Sequence, residues 1–261
     1  VPVAALMLAF WPVWRWYVLR MADGSDEKLG LVALVTLAVL AVAKARQGEA
    51  RRLPLPAAAV LVGLYALTYP WLPPLARAVI AVSAAGLFVS ALAFGRAFRP
   101  AVWGLLLLAL PVTASMQYYL GYPMRVAAGR ASAWLVGLTG VSVTARGTCL
   151  RWMGETVAVD APCSGVHMLW AGAWLSFTLA CLYGLPAMRT FALAAFSAVA
   201  VLAGNAVRAA VLFYKEAGLV HWPAWAHEGV GVVVFAATAL VILGGVRAMK
   251  GGVPCAPDPS S

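Results

Sequence analysis

Three side chains in this sequence can do chemistry together: Cys163, Arg208 and His227, each near the same-side end of a different apolar segment. In Asp160-Ala161-Pro162-Cys163-Ser164-Gly165, a proline and a small polar pair precede an apolar run, which puts Cys163 at the first turn of a helix. A helix N-terminus favours anions and lowers a thiol pKa, and a neighbouring guanidinium lowers it further. The thiolate is the nucleophilic form. Arg208 lies within an apolar run, where an arginine costs about 2.5 to 3.5 kcal/mol to insert, so it calls for a partner or a task. It precedes Lys215 by seven residues, which places it about 10 Å below the rim at 1.5 Å per residue. Asn205, one turn earlier on the same face, is a candidate to hydrogen-bond Arg208 or a substrate carbonyl. His227, in Trp222-Pro223-Ala224-Trp225-Ala226-His227, opens the last apolar segment on the side that carries Cys163. Taken singly, each has a plain reading: a buried cysteine, a snorkelling arginine, an interfacial anchor.

The elements that must position these groups are helices in a membrane. The chain has 261 residues, 64% of them hydrophobic and 11% charged, with mean hydropathy +0.89, which excludes a soluble domain. Without water to satisfy the backbone, helices of about 20 apolar residues are the expected spanning element. Apolar segments fall near residues 1–18, 29–45, 54–72, 75–94, 101–120, 164–184, 188–213 and 225–247. The expected fold is all-α, a polytopic bundle of about eight transmembrane helices. The first segment lacks a basic start and a small-residue cleavage site, so it reads as a retained span. The third and fourth, split by Pro70, Pro73 and Pro74, read as two spans or as one re-entrant hairpin.

A single integral membrane domain then covers 1–261: N-terminal helices over 1–120, an extracytoplasmic loop over 121–162, the chemistry-bearing helices over 163–250 and a tail over 251–261. In the loop, Arg125 and Arg130 among Val126, Trp134, Leu135 and Leu138 predict a short amphipathic helix at the interface, with lipid as its partner. The alternating stretch from Val141 to Asp160, with turn signals at Gly147 and Gly154, predicts a small β-hairpin. Together they would cap the helix ends.

The net charge of +10 is scattered over loops rather than gathered on one helix face, so nucleic acid is not an expected partner. Lys44, Arg46, Arg51, Arg52, Arg96, Arg99, Arg189, Arg247 and Lys250 fall on one side; Arg15, Arg20, Lys28, Arg77 and Lys215 fall on the other. The positive-inside rule puts both termini in the cytoplasm, in a multi-pass protein of the cytoplasmic membrane whose site faces outward. Cys181 and Cys255 read as incidental, while Cys149 and Cys163 share the outer side and leave a disulfide conceivable. No CxxC or zinc-type His/Cys spacing is present, so neither metal nor cofactor is expected.

The ordered motifs Cys163-Ser164-Gly165, then Asn205-Ala206-Val207-Arg208, then His227 with Gly231 and Phe235 following at four-residue intervals resemble the exosortase and archaeosortase family of membrane transpeptidases, over roughly residues 115 to 245. That resemblance implies a cysteine enzyme acting on proteins with a C-terminal sorting signal: a short motif of the PEP-CTERM kind, a transmembrane helix and a basic tail. By motif, Cys163 would be the nucleophile, Arg208 the electrostatic partner and His227 the general acid or base. His167, one turn beyond Cys163, is not assigned by the family pattern, so which histidine handles the proton stays open. The chemistry itself is acyl transfer: thiolate attack on a carbonyl, an oxyanion held by Arg208 and Asn205, and a thioester resolved by an amine or by water.

Two other classes compete. A transporter with Arg208, Asn205 and His227 along a polar path would need an internal repeat and mid-depth acids, whereas Asp160, Glu216 and Glu228 all lie at the rim. A redox protein would need Cys149 beside Cys163. Small residues such as Ala171, Gly172 and Ala173 would admit a substrate helix or serve the chain's own packing.

Overall fold

A computed structural model describes residues 2–23, 28–45, 53–158, 164–223 and 225–250. Every apolar segment named above carries helix, but several breaks fall where the hydropathy is unbroken. The first segment is two helices, α1 (Pro2–Ala9) and α2 (Trp11–Ala22), joined at the fully buried Phe10, with Pro12 in the first turn of α2. Proline cannot continue an upstream helix, and here it starts a new one.

Next come α3 (Leu29–Ala45), α4 (Leu55–Thr68) and α5 (Pro74–Phe94). The last of these ends on Gly95 at φ 76°, whose N–H donates to the Ala91 carbonyl at 3.2 Å while Arg96 N–H reaches the Ser90 carbonyl at 3.3 Å. Such paired bonds close a helix when a left-handed residue follows it.

The predicted span 101–120 is not one helix. α6 (Pro100–Ala109) and α7 (Thr113–Gly137) meet at 96° around Pro111. Proline disfavours helical geometry in the residue before it, and Leu110 is accordingly extended at φ −70°, ψ 156°. Beyond the bend α7 runs without interruption through Pro123, so the first two-fifths of the expected long loop is helical. The predicted interfacial helix is its distal half. Tyr118, Tyr119, Tyr122 and Trp134 are exposed along α7, as an aromatic belt at a membrane surface would be.

Instead of a two-stranded hairpin, the chain then forms a three-stranded antiparallel meander, β1 (Thr144–Arg146), β2 (Cys149–Trp152) and β3 (Glu155–Ala158). Its turns sit where glycine marked them. Gly147 has φ 58°, and Met153 with Gly154 have φ 48° and 86°, two left-handed residues in succession as a tight hairpin demands.

The remaining helices are α8 (Val166–Leu182), α9 (Ala187–Glu216) and α10 (Ala226–Lys250). Among the described residues, α5, α9 and α10 are long and apolar enough to cross a membrane, and the bent pair α6–α7 raises the number to four. α3, α4 and α8, at 17, 14 and 17 residues, fall short of a full crossing by the same measure. The molecule is thus a largely helical bundle of membrane type, with fewer full-length spans than the eight expected.

Glycines set the helix spacing around the site. A Cβ on Gly172 would lie 2.6 Å from Val201 Cγ2 and 3.0 Å from Ser197 Oγ, and one on Gly245 would lie 2.5 Å from the Phe196 ring. α9 is therefore held closely by α8 on one side and α10 on the other, both antiparallel to it. Of the small residues considered for a substrate helix, Gly172 is occupied by this internal packing.

Candidate active site

One stripe of α9 organises the site. At 100° per residue, Asn205, Arg208, Leu212 and Glu216 fall within one face of that helix. Each polar member of the stripe reaches a different neighbour.

Asn205, 2% exposed, packs against the turn that opens α8. That turn is made by Gly165 at φ 82°, and a Cβ there would lie 2.7 Å from Asn205 Cγ and 2.8 Å from its amide nitrogen. Glycine is needed twice over, for the left-handed backbone and for the approach of the carboxamide. Gly165→Ala should lower stability by about 1 to 3 kcal/mol, through the backbone strain alone, and push Asn205 aside. The midpoint of thermal unfolding in detergent measures the first effect; a midpoint equal to wild type would show that neither constraint operates.

Arg208 is half-buried and crosses to α10. A Cβ on Gly231 would lie 3.3 Å from Arg208 Nε, 3.5 Å from Cζ and 3.6 Å from Nη2, so the guanidinium lies flat against that glycine. Gly231 is one helical turn beyond His227. Glu216, at the end of α9, faces His227 itself, with Oε1 3.6 Å from Nδ1. That separation suits an ion pair with a protonated imidazole rather than a hydrogen bond. From the sequence alone Glu216 reads only as a rim acid.

Gln117 of α7 is a further member of this group. Ser164, 1% exposed, donates its hydroxyl to Gln117 Oε1 of α7 at 3.1 Å and accepts the Val166 N–H at 3.4 Å. The first bond ties α7 to the turn before α8; the second satisfies one of the amides that a helix start leaves open. A lone glutamine between Met116 and Tyr118 in an apolar helix was the signal available.

Asn205 thus packs at the start of α8, Arg208 lies against Gly231 of α10, and His227 stands beside Glu216 of α9. His167 is exposed on α8, and no bond from it to this group is seen. Cys163 lies outside the described residues, as does Cys255. Cys149, in β2, and Cys181, buried in α8, are free thiols. No cluster of three His, Cys, Asp or Glu residues able to hold a metal occurs among the described residues.

The meander packs against the C-terminal part of α9. Leu150 of β2 and Val136 of α7, each 1% exposed, pack with Leu212 and Phe213 of α9, and Trp152 meets Phe213 edge-on at 6.3 Å. Thr139 and Tyr214 share a hydroxyl–hydroxyl hydrogen bond that fastens the end of α7 to the same helix.

A guanidinium and a carboxamide on one helix face are groups of the kind that can donate to an oxyanion, and an imidazole is a group that can carry a proton. Comparison with known proteins gives a family. No curated protein and no solved structure matches the chain. The family model described as transmembrane exosortase (Exosortase_EpsH) matches residues 3–244, nearly the whole sequence. With that extent of match, the chain belongs to the transmembrane exosortase family.

Proposed function

We propose that this protein is a membrane-embedded cysteine peptidase and transpeptidase that cleaves the C-terminal sorting signal of exported single-span proteins, with Cys163 as nucleophile. The observation that carries the reading is the α9 stripe, in which Asn205 contacts the turn at Gly165 and Arg208 lies against Gly231. Only Ser164 separates Gly165 from Cys163, so covalent geometry keeps their Cα atoms within about 7 Å of each other. The same helix therefore brings polar donors to the turn at Gly165, two positions along the chain from Cys163, and to the helix that bears the imidazole.

In this reading the Cys163 thiolate attacks the scissile carbonyl, and its electron pair moves onto the carbonyl oxygen. The Arg208 guanidinium, with the Asn205 amide, holds that oxyanion. Collapse breaks the C–N bond as His227 delivers a proton to the leaving amine, which departs with the transmembrane helix and basic tail. Glu216 beside Nδ1 stabilises the imidazolium before that transfer. The Cys163 thioester is then resolved by an acceptor amine or by water, with neutral His227 taking the incoming proton. The cap of α7 and the meander, by limiting water, favours the amine.

Trapping the thioester tests this. Full-length protein in vesicles is incubated with a tagged protein that ends in a PEP-type motif, an apolar span and a basic tail, then quenched in acid. A substrate fragment should be found on the peptide containing Cys163, and hydroxylamine should release it as the hydroxamate. Continued cleavage with no adduct on Cys163 at any time point would reject the covalent mechanism.

A further inference from the structure

We propose that the cavity between α2, α4 and the first turn of α5 is a binding site for a phosphate oxyanion. It has a volume of about 180 Å³ and is lined by Trp16, Tyr65, Tyr69, Pro74 and Arg77, among others. It is separate from the α9 stripe and does not rest on the peptidase reading.

Two polar atoms at this cavity have no hydrogen-bond partner among the described residues. Tyr65 is 6% exposed, and its hydroxyl is buried with no hydrogen-bond partner. Arg77 Nε is likewise buried and unbonded. The contact found for the Arg77 guanidinium is the face of Tyr69, with Cζ 4.5 Å from the ring centroid. That stacking steadies the cation without neutralising it. α2, α4 and α5, which line the cavity, contain no Asp or Glu. The counter-charge has to come from outside these helices.

The chemistry of the site selects the anion. Both open side-chain groups can donate, a guanidinium N–H and a phenol hydroxyl, and they stand beside a helix N-terminus that begins at Pro74 and has no side-chain cap. A ligand must therefore offer several acceptor oxygens and a negative charge. A phosphate does both, pairs with the planar guanidinium through two oxygens and suits the positive end of a helix. Depth agrees as well. Arg77 is three residues into α5, about 4.5 Å from its start, so it lies just inside the end of a helix long enough to cross a membrane. A phospholipid headgroup is held at that level, and a free phosphate could enter from the same side.

The two sources are separated by titrating full-length, delipidated protein in detergent with short-chain phosphatidylglycerol, with inorganic phosphate and with short-chain diacylglycerol, read by native mass spectrometry. A single adduct with phosphatidylglycerol alone assigns a lipid headgroup; an adduct with inorganic phosphate assigns the free anion; diacylglycerol should give neither. Arg77→Gln should weaken the phosphate-bearing ligand by about ten- to a hundredfold, and Tyr65→Phe, which preserves the ring and the fold, by about tenfold. Equal binding of diacylglycerol, absence of any phosphate adduct, or wild-type affinity in Tyr65→Phe and Arg77→Gln together would overturn the proposal.

Discussion

Processing of a tagged substrate falls to background in Cys163→Ala, by about four orders of magnitude or more, while the protein is still expressed and inserted. Removing the sulfur leaves oxyanion donors but no atom to form the acyl intermediate, and water held in its place is a far weaker nucleophile. Two companion variants make the result specific. Cys181→Ala and Cys149→Ser should keep full processing, because the first is a packed thiol of α8 and the second a strand residue of the cap. Immunoblots of precursor and product against time give the rates. Normal processing by Cys163→Ala would remove the thiol from the mechanism, and loss of activity in Cys149→Ser would bring back a role for paired cysteines.

The second large effect is at Arg208. Arg208→Lys retains the charge but not the flat fork that lies along Gly231, and the shorter point charge cannot address an oxyanion from the same direction. The expected loss is about 10²- to 10³-fold in kcat, equivalent to roughly 3 to 4 kcal/mol of transition-state stabilisation, with little change in KM. Single-turnover cleavage under saturating substrate measures it. A variant with wild-type kcat and raised KM would place Arg208 in substrate binding alone. If Arg208→Lys were fully active in both constants, charge without geometry would suffice, and the donor role would pass to Asn205.

Legibility of the chain followed the range of the forces involved. Apolar runs and their lengths are local, and the runs at 29–45 and 75–94 appear as α3 (Leu29–Ala45) and α5 (Pro74–Phe94) almost residue for residue. Turn chemistry is local too, so Gly147 and Gly154 marked the corners of the sheet correctly. The third strand was missed because β1 and β3 have no partner but β2, and a stretch of alternating residues does not state how many times it folds back. The bend at Pro111 was readable in principle. It was overridden by the continuous hydropathy of 101–120, although proline acts on the backbone whatever the polarity of its surroundings.

The candidate site divides in the same way. Asn205 and Arg208 share a helix, so their common face was legible from a spacing of three. Gly231 as the seat of the guanidinium, Glu216 as the neighbour of His227 and Gln117 as the acceptor for Ser164 depend on how α9, α10 and α7 slide against one another. That registration is set by glycine contacts such as Gly245 on Phe196, between residues 49 apart in the chain, and no local pattern encodes it.

The seat of the small sheet also governs the order in which this protein can assemble. Three strands of three or four residues are too little to persist alone, and their apolar face is completed by Leu212 and Phe213 of α9. A ribosome releases residues 144–158 some 55 residues before it releases Phe213. The nascent sheet must therefore wait through the synthesis of α8 and nearly all of α9. Until that late partner emerges, Leu150 and Trp152 stay uncovered, and delayed insertion of α9 becomes the step at which newborn chains are most open to aggregation and proteolysis.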